Sequence, residues 1–354
     1  VGGRLSVRGN IKVNNFLTAI DYDFSAQIAR MLDTHHDWVS NPDGVITNSM
    51  VNSEAQAQFL TRAYYSDYRI EGKPYNFYAQ VKTNKYVQLG SSNFMNVKLG
   101  FDYRLDGNSG RGLMFDMNNP PQAGSAQTLR PRSYRDIPAM QALSMFVEDN
   151  STLHLGTTSL QFAAGVRISN LFLNKDKAKQ GSIFVAEPRA NLEYTFLTKK
   201  NNSLFDKLAI SGGFGISNKM PTLLYLYPDN AYFDSNSLSY QGGTGANSAL
   251  AIMTTKVISD TQNAGLRPAR STKWEIGLNA RTGKMKGYIT YFSERHRHEL
   301  GFDSRLAWLN YNKYNVPVGA SDLSYNHGVV NYTYAGATQT ATVTPKSEMV
   351  TWSF

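Results

Sequence analysis

Hydrophobic and polar residues alternate along much of this chain. In residues 94–106, for example, Val97 and Leu99 alternate with Asn96 and Lys98. Alternation with a period of two predicts a β-strand that has one apolar and one polar face. The pattern occurs in ten segments, at residues 4–13, 16–29, 75–82, 94–106, 140–148, 160–168, 184–196, 207–217, 272–281 and 286–299.

The links between these ten segments are alternately short and long. Residues 14–15, 90–92 and 282–284 are short turns, whereas residues 33–72 and 218–271 are long connections. In an antiparallel meander, successive links lie at opposite ends of the sheet. One rim of the sheet therefore has only short turns, and the other rim has all the long connections. Long connections without helical periodicity are typical of functional surface loops or of disorder.

Long strands, one-sided loops and alternating faces are the layout of an outer-membrane β-barrel. The sequence therefore predicts an all-β fold, a transmembrane antiparallel β-barrel with long extracellular loops. Ten strands are present, or twelve if residues 329–334 and 349–354 are counted. A soluble β-sandwich would show the same alternation with its apolar face buried, so this alternative stays open at this stage.

Composition and charge further limit the classes of protein to which this chain can belong. The 354-residue chain has no cysteine, which excludes disulfides and cysteine-bound metals. It has no run of about 18 apolar residues, which excludes a transmembrane helix. Its net charge of +9 is scattered over polar strand faces and loops, so we expect no nucleic-acid partner. The chain opens at Val1 inside a strand pattern, and we expect a mature or cut fragment.

One stretch carries a recognisable motif at the end of the longest connection. Residues 263–277 resemble the strand-entry signature of TonB-dependent outer-membrane receptors, in which Asn, Leu-x-Pro-Glu and a later Glu-x-Gly recur in that order. Ala269 stands where the family usually has the acidic residue after proline. The matching residues, to which we assign a structural role, are Asn263, Leu266, Pro268, Glu275 and Gly277.

Two further stretches are similar to the same family. Residues 213–228 look like a strand end that runs into a proline-led extracellular loop, and residues 145–167 look like the family's Phe-x-Glu-Asp and Gly-x-Arg strand pair. The resemblance covers roughly residues 143–302.

The resemblance implies a barrel of about 22 strands, filled by an N-terminal plug. It also implies a bacterial outer-membrane location and import of a scarce nutrient with energy from the TonB complex. Neither the plug nor its TonB-contacting segment is present, so we expect residues 1–354 to be a single β-barrel region from the middle of such a receptor. The expected partners are outer-membrane lipid, TonB through the missing plug segment, and a small-molecule, glycan or peptide cargo. A surface lipoprotein lid is an open alternative.

Aromatic residues in the long connections are the candidate ligand contacts. Tyr225, Tyr227, Tyr232 and Phe233 lie in residues 218–271, and Trp38 lies in residues 33–72. Aromatic rings in such loops can stack on a ligand, but they also pack loops against each other. Both interpretations stay open.

Histidines are the candidate metal ligands, although we expect neither a metal nor a cofactor. His296 and His298 would share one face of a strand and offer two imidazoles, and His35 and His36 precede Asp37 in a long connection. Arg295 and Arg297 flank the first pair, so a solvated strand end is the better explanation of these two histidines. Asp102, Asp106, Gly107 and Asn108 resemble part of a calcium loop, but the later ligands are missing, and a strand end followed by an Asp-Gly turn explains them more simply.

No catalytic motif occurs in the chain, and we expect no enzyme. The sequence contains no Gly-x-Ser-x-Gly elbow and no His-Glu-x-x-His, and the glycines at residues 212–215 lie inside a strand instead of opening a helix. The alternative is a complete small twelve-stranded barrel, porin-like or a hydrolase that uses His296 or His298 at the loop rim.

Overall fold

A computed structural model describes residues 1–13, 17–40, 44–60, 62–121, 129–198, 204–242 and 247–353. The strands in these ranges are β1 Gly2–Lys12, β2 Ala19–Ala29, β3 Met31–Val39, β4 Val45–Ile46, β5 Ser53–Phe59, β6 Tyr64–Gly72, β7 Pro74–Leu89, β8 Asn93–Asn108, β9 Gly112–Met114, β10 Met140–Leu155, β11 Thr158–Phe172, β12 Ser182–Thr198, β13 Lys207–Lys219, β14 Ala231–Gln241, β15 Ala249–Ile258, β16 Ala269–Thr282, β17 Met285–Arg297, β18 Ser304–Asn315, β19 Ser321–Asn326, β20 Val329–Tyr334, β21 Ala337–Thr340 and β22 Thr342–Ser353.

Helices contribute little to this fold. A 3-10 helix spans Tyr134–Asp136, and the single turn α1 spans Leu223–Leu226. Across the described ranges, no helix has the length and apolar character needed to cross a membrane.

Ten strands form one antiparallel main sheet in the order β1-β2-β7-β8-β10-β11-β12-β13-β16-β17. Each strand pairs with the next barrel segment predicted from the sequence, which confirms the ten-strand meander. Most of these strands are longer than their alternating segments. β7 and β8, for instance, each contain 16 residues. Pairing with a neighbouring strand on both sides extends a strand beyond the residues that alternate between apolar and polar.

The short links lie at one rim of the main sheet. Gly283 adopts a φ of 55° in the turn between β16 and β17, a conformation that a residue without a Cβ reaches at little cost. The link between the segments at residues 140–148 and 160–168 is shorter than their pattern predicts, because β10 continues to Leu155 and pairs there with β11. The predicted turn at residues 14–15, together with the expected strand start at residue 16, lies outside the described residues.

The long links hold small sheets of their own at the other rim. These are a four-stranded sheet β14-β15-β5-β4 and a three-stranded sheet β3-β6-β9. The segment that follows β17 forms two more small sheets, the three-stranded β19-β20-β21 and the pair β18-β22. The expectation that residues 329–334 and 349–354 add two strands to the meander is therefore wrong. β20 pairs with its sequence neighbours β19 and β21, and β22 pairs with β18. Residue 354 lies outside the described residues.

The two faces of the main sheet differ in a way that excludes the β-sandwich. Large apolar side chains such as Leu99 and Ile276, both 53% exposed, cover one face, whereas Asp102 and Ser144 on the other face are buried. A soluble sandwich would bury its apolar face against a second sheet. Many of the buried apolar residues belong instead to the long-loop sheets, as in the cluster around Leu238, Ile252 and Val330.

Candidate functional site

Two adjoining cavities lie on the polar face where β13, β16 and β17 meet the long-loop rim. The upper cavity has a volume of about 420 Å³ and is lined by Tyr225, Arg270 and His296, among others. The lower cavity, of about 360 Å³, continues down the strands to Lys273 and Glu275. Because both cavities include Ser217 and Ser271, we treat them as one site and call it the rim cleft.

The strand register brings the polar residues of the rim cleft together. Ser271 is paired with Ser217 on one side and with His296 on the other. The Ser271 hydroxyl donates a 2.5 Å hydrogen bond to Glu294. Lys273 lies 3.0 Å from Glu275, and its ammonium group stands 5.5 Å above the Phe292 ring. The cleft thus presents charges of both signs, which suits a polar ligand rather than a purely apolar one.

A proline opens the sheet beside the rim cleft. β12 pairs with β11 along nearly all of its length, but it pairs with β13 only from Arg189 onward. Pro188 has no N–H to donate, so it ends the ladder on that side. Beyond this point, the Glu187 carboxylate accepts a 2.5 Å hydrogen bond from the backbone N–H of Asn218, in place of a ladder bond. The top of β13 is thereby held without a continuous ladder.

Tyr225 is the predicted ligand contact that the structure places in the rim cleft. It lies on α1, and its ring stacks on that of Phe302 with 5.0 Å between the centroids and 27° between the planes. Phe302 follows β17 and is exposed. Sequence reasoning missed Phe302, because nothing in its local sequence indicates a partner some 80 positions away.

Two other predicted contacts pack inside the loops. Tyr227 is buried, its hydroxyl accepts a hydrogen bond from the Asn174 N–H at 3.2 Å, and its carbonyl accepts one from Arg132 at 2.7 Å. Tyr232 is also buried, with the guanidinium of Arg130 at 5.1 Å from its ring centroid. These two rings hold loops together.

The remaining predicted contacts lie on separate sheets. Phe233 is partly buried on β14. Trp38 is exposed on β3, where its ring lies 4.7 Å from that of Tyr65, and Tyr65 in turn stacks on His36 at 4.4 Å. The structure therefore does not gather the five predicted aromatic residues into one site.

The strand-entry motif has a local structural explanation. The Asn263 side chain accepts a hydrogen bond from the Gly265 N–H at 2.9 Å, and its carbonyl accepts one from the Leu266 N–H at 3.3 Å, which forms a tight turn before β16. Pro268 directly precedes β16. Glu275 lines the rim cleft. A Cβ at Gly277 would lie 2.6 Å from the Ser211 hydroxyl, so a larger residue would displace the Ser211 side chain.

The candidate metal residues are dispersed. His296 Nε2 lies 3.5 Å from Glu294 on β17, whereas His298 lies beyond the strand end with a φ of 55°, so the expectation that both share one strand face is wrong. Paired residues face the same side of a sheet, and His35 and His36 pair with Tyr68 and Asp67, so they face opposite sides of β3. Within the described residues, no three His, Asp or Glu side chains are grouped for a metal.

The two aspartates considered for calcium have cationic partners. Asp102 accepts hydrogen bonds of 2.7 and 2.9 Å from Arg167, and Asp106 lies 2.5 Å from the Arg104 guanidinium. Both lie within β8, which continues to Asn108. The expected strand end with an Asp-Gly turn at Asp106 is therefore wrong, because the pairing with β7 carries β8 past this point.

Ten antiparallel strands with an exposed apolar face, a polar inner face, tight turns on one rim and large loops on the other define an outer-membrane type of β-barrel. The sequence model of the family described as TonB dependent receptor-like, beta-barrel matches residues 3–347. The chain belongs to this family, whose members are receptors and transporters of the bacterial outer membrane. No curated protein matches the chain.

Proposed function

We propose that this protein binds a scarce nutrient at the rim cleft and the extracellular loops and imports it with energy supplied by TonB. In this proposal residues 1–354 serve as the barrel region, and TonB acts through a plug segment outside this sequence. A surface lipoprotein lid over the long loops also stays a prediction. The chain's membership of a receptor barrel family supports transport as the general role.

We choose the rim cleft as the ligand-binding site because of the residues that line it. Tyr225, whose ring stacks on that of Phe302, lines the upper cavity, and Lys273, Glu275 and Glu294 line the lower one. Aromatic rings supply apolar contact area, and a few polar groups fix orientation, which is the usual composition of a small-molecule site. The cargo expected from this chemistry is a compact polar molecule with one face that can stack on a ring.

Outer-membrane vesicles that carry the protein provide the test. The vesicles are incubated with a nutrient-rich extract, and the small molecules that they retain are identified by mass spectrometry. Tyr225→Ala should reduce retention of the cargo at least tenfold. The matched control is Tyr288→Ala, which removes a tyrosine on β17 that is exposed and outside the cleft.

Energy coupling is tested separately, by uptake of the retained molecule into living cells. A protonophore should abolish uptake but leave binding to vesicles unchanged, because TonB draws on the inner-membrane proton gradient. Equal retention by Tyr225→Ala and Tyr288→Ala would refute the site, and uptake that is insensitive to the protonophore would refute the energy source.

A further inference from the structure

The outward face of the barrel continues without interruption above the membrane rim. Ile28 of β2 is paired with Tyr75 of β7, and Met31 of β3 is paired with Gly72 of β6, so both ladders share one register. Arg30, between the two strands, donates its N–H to the Val1 carbonyl at 2.7 Å and keeps the chain extended. Since side chains alternate between faces, every second residue beyond Ile28 stays on the lipid side.

Four basic residues follow on this face, around one carboxylate. Arg30, Lys73 and Arg111 surround the Glu71 carboxylate, with closest distances of 3.8, 3.1 and 2.5 Å. The Glu71 side chain is only 1% exposed, whereas those of Arg30 and Arg111 are 59% and 56% exposed. Arg69 lies on the same face, paired with Thr34. We call Arg30, Arg69, Lys73 and Arg111 the outer cationic patch.

The patch carries more positive charge than Glu71 can balance. Arg111 and Lys73 approach the carboxylate within hydrogen-bonding distance, and Arg30, at 3.8 Å, lies beyond it. The described residues give Arg69 no carboxylate within ion-pair distance. A structural role for Glu71 therefore explains its hydrogen bonds with Lys73 and Arg111. It leaves the exposed guanidinium group of Arg30 with one long ion pair and that of Arg69 with none among the described residues.

The distance from Ile28, the last apolar residue of β2 on this face, to the patch is similar to the thickness of a lipid headgroup zone. Arg30 lies two residues past Ile28, which is about 6–7 Å along the strand. The headgroup zone of each leaflet extends about 5–8 Å beyond the hydrocarbon core. Directly below the patch, the apolar side chains of Val7, Ile28 and Phe77 are exposed on the same side of the sheet, where acyl chains run.

We propose that the outer cationic patch binds the phosphate group of an anionic lipid in the outer leaflet. Arginine guanidinium groups bind phosphate oxygens with paired hydrogen bonds, and lysine contributes a point charge. Free phosphate offers the same headgroup chemistry. The apolar surface under the patch favours a lipid over free phosphate, because the acyl chains can pack against it. This site is separate from the rim cleft and does not depend on the proposed transport function.

The protein purified from outer membranes in an uncharged detergent serves for the test, with native mass spectrometry as the readout. The probes are short-chain phosphatidylglycerol, which is anionic, and short-chain phosphatidylcholine, which is zwitterionic. The unmodified protein should bind phosphatidylglycerol at least tenfold more tightly. The double variant Arg30→Gln with Arg69→Gln should lose that preference, because it removes two cations and leaves both close partners of Glu71 in place.

The matched control is Arg4→Gln with Arg8→Gln, which removes two exposed arginines from the polar face of β1. It should keep the preference. If both double variants weaken binding equally, or if phosphatidylcholine binds as well, the patch is no lipid site. Binding of inorganic phosphate as tightly as phosphatidylglycerol would also refute the lipid assignment. Should the Arg30 variant fail to fold, Arg69→Gln alone must still weaken phosphatidylglycerol binding.

Discussion

Arg130 and Asp234 form an ion pair in which both side chains are only 2% exposed and the Arg130 Nη2 lies 2.9 Å from each carboxylate oxygen. Arg130 also donates a 3.0 Å hydrogen bond from Nε to the carbonyl of Ser49. The three residues belong to three different long connections. The pair therefore ties these connections together at the extracellular rim, where charged groups that have left water need a partner.

Asp234→Ala should loosen the extracellular loops without unfolding the barrel. The change leaves the Arg130 charge buried without its main partner, which costs about 3–5 kcal/mol. Hydrogen exchange of the β15 amides measures this cost as lost protection. The control is Asp23→Ala, which breaks the more exposed Arg8–Asp23 pair and should cost at most about 1 kcal/mol. Equal loss of protection in both variants would contradict a specific role for the buried pair.

Glu71 should make the upper part of the barrel sensitive to acid. Hydrogen bonds from Arg111 and then Lys73 lower the pKa of Glu71 from 4.5 to about 2, against an opposing effect of burial. A carboxyl whose pKa is lowered on folding stabilises the protein above pH 4.5, and this stabilisation is lost as the pH falls toward 2. The melting temperature of Glu71→Gln should therefore lie below that of the unmodified protein at neutral pH, and the gap should close between pH 4.5 and 2.

The Arg111→Gln background provides the internal control for this titration. Removing the first partner of Glu71 should narrow the gap that Glu71→Gln produces at neutral pH. A gap that does not change with pH would show that Glu71 acts by packing alone.

Tyr314→Phe should destabilise the loop sheets that pack around Glu54. The Tyr314 hydroxyl donates a 2.5 Å hydrogen bond to the Glu54 carboxylate, and Tyr325 donates another at 3.1 Å. Loss of a hydrogen bond to a charged group costs about 1.5–3 kcal/mol, measurable by hydrogen exchange of β20. Tyr334→Phe, at an exposed position of β20, should have no such effect. An equal loss of protection in the two variants would refute the role of this bond.

The same tyrosine should limit stability at high pH. Burial, followed by the hydrogen bond to Glu54, raises the pKa of Tyr314 above its ordinary value of 10.0. A group whose pKa is raised on folding contributes its stability below the ordinary value and loses it as the pH rises through the folded value. Protection of β20 should therefore decline above pH 10 in the unmodified protein and show no such component in Tyr314→Phe.

Ile289→Arg tests which face of the main sheet meets lipid. Ile289 is 76% exposed on the apolar face of β17, and an arginine near the bilayer midplane costs a barrel about 2–4 kcal/mol. The neighbouring Thr290 belongs to the opposite face, so Thr290→Arg should cost much less. Urea titration of folding into lipid vesicles compares the two variants. The reverse order of stability would mean that the faces are assigned the wrong way round.

Several features of the fold could be predicted from local sequence. The ten strands, the side on which short turns lie and the identity of the two faces all follow from period-two alternation and link length, as at Val97 and Leu99. The motif at Asn263 was recognisable because its turn and strand entry are built from neighbouring residues. Local alternation is misleading where pairing with neighbouring strands extends a strand, as in the last residues of β10.

The sequence alone determined that this chain forms a meander of amphipathic strands, because side-chain alternation and turn chemistry act between residues close in the chain. Which loop residues are in contact depends on the tertiary fold. Tyr225 finds Phe302, Arg130 finds Asp234, and the cations around Glu71 assemble from three separate segments. Such contacts depend on how long connections fold over the rim. A single sequence has no periodic pattern that indicates contacts between residues separated by so many positions in the chain.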